Sequence, residues 1–178
     1  AITAMATNAQ TIIKVNIPCF YDSTYVPTDE WYSINGVVMS VGNCCDTADG
    51  LKIAVFDSLT CDPWWSAGTG FPYIDSLYGN YHCNINAEAA FDFFIDQNDT
   101  TQNVIAAFIN YIPLNDYVLV MTHRNPHYQS WNNAMINAFR SIGSSLSITN
   151  LPQDSTSYII IGQKGALPGS VPDLIFPD

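Results

Sequence analysis

From residue 101 to the C-terminal end, a helical pattern and a strand pattern take turns, and this alternation limits the folds open to the chain more than any other feature. Val104, Ile105, Phe108, Ile109 and Ile112 fall on one helical face, with Thr100 or Thr101 placed to cap the start and Pro113 ending the run. A buried strand, Tyr117 to Thr122 (YVLVMT), is expected next. Ser130 can cap a second helix, on which Trp131, Ala134, Met135, Ala138 and Ile142 form an apolar face and which Gly143 closes in a left-handed conformation. Tyr158 to Ile161 reads as the last strand. Helices interleaved with strands imply a sheet covered by helices.

The first half reads differently. TIIKVNI (11–17) alternates Ile13, Val15 and Ile17 with Lys14 and Asn16, the pattern of a half-buried strand, and Pro18 stops it. A connecting loop to Glu30 and a strand from Trp31 to Val41 follow, and after the turn at Asp49-Gly50 comes the compact central strand LKIAVFD (51–57). Residues 62–87 are rich in Trp, Tyr, Gly, Pro and Asn without sustained periodicity, which reads as a long excursion pinned by Cys61 and Cys83. The expected fold class is α+β: mixed twisted β-sheets with short helices packed on them, strand-rich in the N-terminal half and alternating in the C-terminal half. Residues 1–30 form an N-terminal strand and connecting loop, and residues 31–178 one globular domain.

Composition narrows the partners. Five basic residues, scattered along the chain, stand against sixteen acids for a net charge of −11. Without a basic stripe to release counterions, nucleic acid and anionic membrane surfaces are unlikely partners. No apolar run approaches the length needed to span a bilayer, so direct membrane insertion is not expected. The numbering opens on Ala1, which fits a mature chain after signal cleavage, and no C-terminal sorting domain is recognisable after Pro172. Cys19, Cys44, Cys45, Cys61 and Cys83 are disulfide candidates for an exported chain, and the odd count leaves one unpaired. A pair of Cys-x-x-Cys zinc ligands is missing, and no metal or other cofactor is expected.

Six of the fourteen aspartates open a tripeptide in which Ser or Thr follows and then one of Ala, Ile, Leu, Val, Met or Thr. The hydroxyl residues are Ser23, Thr47, Ser58, Ser76, Thr100 and Ser155, and chance placement would supply only about one copy at this composition. The tripeptide resembles the acceptor of bacterial periplasmic O-glycosylation, which implies covalent glycans on an extracellular or cell-surface protein. Turn chemistry is the competing explanation, because both side chains fold back onto nearby backbone N–H groups.

Three stretches of the C-terminal half carry a family resemblance: FINYIPLNDYVLVMTH, AFRSIGSSLSITNL and YIIIGQKGALPGSV. Over residues 104–171 the chain resembles the interleukin-like EMT inducer domain, also found in large bacterial surface proteins. LKIAVFD fits that family's earlier central strand, and 62–87 looks like an insertion. The resemblance implies a secreted signalling protein or an accessory module able to contact carbohydrate, with no shared catalytic centre. A charged Arg-Asp pair often precedes the family's last core strand. The corresponding positions here are Ser155 and Thr156.

No serine elbow or phosphate-binding glycine loop occurs. His123 and His127 flank Pro126 without the glutamate of a zinc protease, and read as polar loop residues. Trp64, Trp65, Tyr73, Tyr78 and Tyr81 could form an aromatic platform for sugar or a neighbouring subunit, or a satellite core under the loop. The leading expectation is a non-enzymatic, glycosylated structural subunit of an extracellular filament or surface appendage. It would polymerise with copies of itself by donating the strand that carries Ile13, Val15 and Ile17. The alternative is a secreted carbohydrate-binding module that uses the aromatic insertion.

Overall fold

The computed structural model describes residues 13–16, 31–41, 49–66, 89–95, 99–123, 125–145, 150 and 156–176. They build an α+β fold of two antiparallel sheets and two helices, strand-rich in the N-terminal half as expected. Strands β1 (Ile13–Asn16), β2 (Trp31–Ile34) and β3 (Val37–Val41) form a three-stranded sheet in that order. The second sheet has five strands: β4 (Gly50–Phe56), β5 (Phe91–Phe94), β6 (Tyr117–His123), β7 (Ser157–Gln163) and β8 (Leu174–Phe176). Their order is β5-β4-β6-β7-β8. Helices α1 (Asp99–Tyr111) and α2 (Asn133–Arg140) lead into β6 and β7.

Residue alternation sorts the core into two layers. Leu51, Ile53, Val55, Val118, Val120, Tyr158 and Ile160 meet Ile105, Phe108 and Ile109 of α1 and Met135, Ala138 and Phe139 of α2. The intervening Ala54, Phe56, Leu119, Met121 and Ile159 turn the other way, onto Tyr32 and Ile34 of the small sheet. Because both faces of the central strands are covered, their sequences read as continuous apolar runs rather than as alternation. Lys52 lies on the second face, 2% exposed, with its Nζ 3.5 Å from Asp92 Oδ1 on the neighbouring strand.

β5 and β6 both run antiparallel to β4, so they are parallel to each other, with α1 as their connection and β4 between them. This is a split βαβ arrangement. β5 and β8, the two edges of the large sheet, were not foreseen from the sequence. Each has only three or four residues, too few for a period-2 signature.

The single strand expected over 31–41 is a hairpin. Asn35 and Gly36 take φ values of 49° and 84°, the left-handed pair that a two-residue turn between twisted strands requires. The helix starts differ from expectation as well. α1 begins at Asp99, which places Thr100 and Thr101 inside its first turn. α2 is capped by Asn132, whose side chain accepts from the Met135 N–H at 3.0 Å, while Ser130 ends a short 3-10 helix. Starting the helix at Asn133 leaves Ala134 exposed and turns Phe139 into the core.

Two glycines hold the end of α2 against the sheet. Gly143 has φ 98°, and a Cβ there would lie 2.5 Å from Val171 Cγ2. At Gly162 a Cβ would lie 2.2 Å from the Ile142 carbonyl oxygen, so only glycine lets β7 pass so close to the chain leaving the helix.

Candidate functional site

The segment expected to act as the assembly strand is β1. It pairs with β2 of its own chain, Ile13 opposite Ile34 and Val15 opposite Tyr32. Ile13 and Val15 reach the apolar layer formed by Tyr32, Ile34, Ala54, Phe56, Leu119 and Met121, while Lys14 points to solvent. The alternation read from the sequence is therefore correct over these residues, and Ile17 lies outside the described ones. The Tyr32 hydroxyl donates to the Ala89 carbonyl and ties the small sheet to the chain entering β5. The seat for Ile13 and Val15 is thus made by residues 32–159, not by the N-terminal segment itself.

Of the six proposed acceptor positions, the structure describes Ser58 and Thr100; Ser23, Thr47, Ser76 and Ser155 lie outside the described residues. Ser58 is half-buried in a tight turn. Asp57 Oδ1 accepts from the Leu59 and Thr60 N–H groups at 2.8 and 2.9 Å, and the Asp57 carbonyl accepts from the Cys61 N–H at 2.9 Å. The Thr60 and Leu59 N–H groups hold the Asp57 carboxyl below its usual range. Ser58 N–H donates to Asp116 Oδ1 at 3.1 Å, which joins this turn to the loop before β6. Thr100 is exposed on the first turn of α1, beside Asp99, whose Oδ1 accepts from Asn132 Nδ2 at 3.1 Å. Asp57 therefore does the local work that turn chemistry requires, whereas Asp99 accepts from a residue 33 positions away, and Thr100 is the more accessible hydroxyl.

The two tryptophans part company. Trp64 N–H donates to the Val55 carbonyl at 2.9 Å, and the ring, 8% exposed, belongs to the helix-side core. Trp65 is 43% exposed. Tyr111, at the end of α1 and equally exposed, meets the Trp64 ring edge-on at 6.3 Å. Trp64 thus joins the main helix-side core rather than a satellite core under the loop, and Trp65 and Tyr111 are each exposed. Tyr73, Tyr78 and Tyr81 lie outside the described residues.

Cys61 adopts φ 60° and carries a free thiol, so the expected pinning of the excursion at this cysteine is not met. Its backbone closes the turn headed by Asp57, which needs no cross-link. Cys19, Cys44, Cys45 and Cys83 lie outside the described residues.

One polar cluster was read as an ordinary loop and is more ordered than that. His127 has φ 52°, and its Nε2 lies 3.1 Å from Asp49 Oδ2, while Asp49 Oδ1 accepts from the Asn125 N–H at 3.2 Å. Next to it the Tyr128 hydroxyl donates to the Thr156 carbonyl at 2.6 Å, and Trp131 Nε1 donates to the Pro126 carbonyl at 2.7 Å. Thr156, one of the two positions where the expected charged pair is replaced, thereby supplies a backbone acceptor under the aromatic cluster. Seventy-eight residues separate Asp49 from His127, and no local pattern announces the pair. Ser130 Oγ donates to the His127 carbonyl at 2.8 Å, away from the ring. Among the described residues no three His, Cys, Asp or Glu side chains converge on a metal position, and no helix is long and apolar enough to cross a membrane.

An antiparallel sheet layer with two helices on one face and a small sheet on the other defines an α+β domain. The Interleukin-like EMT inducer family model matches residues 49–166, more than half of the chain, and the protein belongs to that family. The match reaches back through β4 and the whole excursion, well before residue 104. No curated protein matches the chain.

Proposed function

We infer that the protein is a non-enzymatic exported glycoprotein that serves as a structural subunit of an extracellular filament or surface appendage, assembled by N-terminal strand donation between copies. The observation that carries this reading is the seating of β1. Four residues at a sheet edge put Ile13 and Val15 into an apolar layer built entirely by later parts of the chain. A neighbour's identical strand offers the same side chains and the same main-chain hydrogen bonds to that seat. Exchange replaces each contact by its equal, and the connecting residues decide whether the strand closes on its own body or reaches the next.

The test is deletion of residues 1–17 followed by electron microscopy and circular dichroism. A folded monomer that no longer assembles, and that takes up a synthetic TIIKVNI peptide, is the expected result. An unfolded monomer, or filaments that persist without the segment, would overturn the reading. For the glycan, peptide mass spectrometry of native secreted material should find hexose-containing mass on the Thr100 peptide, and it should vanish in Asp99→Ala.

A second reading rests on the exposed Trp65 ring, which suits stacking against a sugar ring. Glycan-array binding that is lost in Trp65→Ala while the protein keeps its fold would favour a carbohydrate-binding module.

A further inference from the structure

The end of α1, the end of α2 and the chain leaving β7 meet at Lys164. Its N–H donates to the Asp116 carbonyl and its carbonyl accepts from the Asn115 N–H, both at 2.9 Å, so its backbone is pinned on two sides. The residue is only 9% exposed, and its Nζ donates to Ser141 Oγ at 2.8 Å and to Asn110 Oδ1 at 3.3 Å. Asn110 stands in the last turn of α1, and Ser141 ends α2. Among the described residues no carboxylate lies within ion-pair distance of the ammonium.

We propose that Lys164 Nζ and Asn110 Cγ join in an intramolecular amide bond, a covalent cross-link between α1 and the segment after β7. The free amine attacks Cγ, the Cγ–Nδ2 bond breaks, and Nδ2 leaves as ammonia with a proton from Nζ. One amine and one carboxamide become one secondary amide and one ammonia, so no oxidant or cofactor is needed.

Placement is the first support. Cγ lies one carbonyl bond, about 1.2 Å, from the Oδ1 that Nζ already touches. Groups held in contact and correctly oriented react with effective molarities of about 10⁵ M or more. Activation is the second. Burial without a counter-ion pulls the amine below its usual pKa, and a desolvated lysine is the nucleophilic form. Ser141 Oγ donates its own proton to the Ala138 carbonyl at 2.6 Å, which leaves a lone pair facing Nζ to take up the amine proton. The third is the outcome. Asn110 is exposed, so ammonia departs straight into water, and a neutral amide replaces an ammonium that burial penalises. The bond lies within one chain, so it goes beyond strand donation, and either can fail without the other.

Mass spectrometry of the reduced full chain, made in a host without glycosylation, reads the bond directly. Wild type incubated at mildly alkaline pH is expected to be lighter than its sequence by one ammonia, with the Asn110 and Lys164 peptides joined and trypsin no longer cutting after Lys164. Conversion should rise with pH, because only the free amine attacks. Asn110→Ala and Lys164→Arg should both keep the full sequence mass. If the arginine variant fails to fold, the alanine variant at the exposed Asn110 decides alone. Wild type that keeps its full mass, or that loses ammonia with the two peptides still separate, overturns the cross-link.

Discussion

Gln102 and Asn132 hold the N-termini of the two helices together. The Asn132 N–H donates to Gln102 Oε1 at 2.6 Å, and Gln102 Nε2 donates to the Ser130 carbonyl at 3.0 Å. Gln102 is fully buried in α1, and both ends of its amide are used. Asn132 meanwhile caps α2 with its oxygen and donates from Nδ2 to Asp99 and Asn103 of α1. Two residues thirty positions apart thus fix the helix layer that covers the sheet.

Replacing Gln102 with Leu keeps the approximate volume and strands the Asn132 N–H and Ser130 carbonyl without partners. The expected loss is about 2–4 kcal/mol in urea unfolding. Asn132→Ala should lose about 1 kcal/mol for the cap, with a further small loss for the bonds to α1. A change under roughly 0.5 kcal/mol for Gln102→Leu would show that the bridge is incidental.

Gly162 and Gly36 separate steric from conformational demands. Gly162→Ala pushes a methyl into the Ile142 backbone and should cost more than about 3 kcal/mol or prevent folding. Gly36→Ala meets no atom within 4 Å and carries only the strain of φ 84°, about 1 kcal/mol. Thermal melts of the two variants should rank in that order.

The buried tryptophan and the exposed one should also respond differently. Trp64→Ala empties a core position and should cost about 3–5 kcal/mol, whereas Trp65→Ala should stay within roughly 0.5 kcal/mol. Equal stability losses would mean that Trp65 is packed and unavailable to any ligand.

Alkaline pH should find a weak point at Tyr158. Burial pushes its phenol well above the usual value, assisted by the nearby Asp173 carboxylate, which accepts its proton at 2.8 Å. The folded state therefore holds this proton more tightly than the unfolded chain does. That stabilisation is complete below the ordinary phenol pKa of about 10 and is lost as pH rises from there through the folded value. Tyr158→Phe should lose about 1 kcal/mol near neutrality and show a shallower decline between roughly pH 9.5 and 11. Parallel declines for the two proteins would assign the alkaline transition elsewhere.

Much of the framework was legible because it is local. The apolar face of α1, the central strands around Ile53, Val120 and Ile160, and the inward alternation of Ile13 and Val15 follow from residue spacing, which each element obeys along its own length. The reversal at Gly143 was legible for the same reason. The Asn35-Gly36 turn was present as a signal and passed over inside a longer apolar stretch. Asp57 and Asp99 show why the tripeptides are ambiguous: the residues that would address a glycosylation machinery are the ones that build a turn and open a helix.

By itself the sequence determined the α+β class, the family, the net charge of −11, and which side chains of the main elements face inward, because periodicity and composition are properties of the chain alone. Only the tertiary structure decided that Trp64 is core while Trp65 is accessible, that Lys52 faces Asp92, and that Asp49 meets His127. Each of these depends on which distant segments lie side by side. Burial and pairing are sums over neighbours in space, and the chain's order names those neighbours only after it has folded.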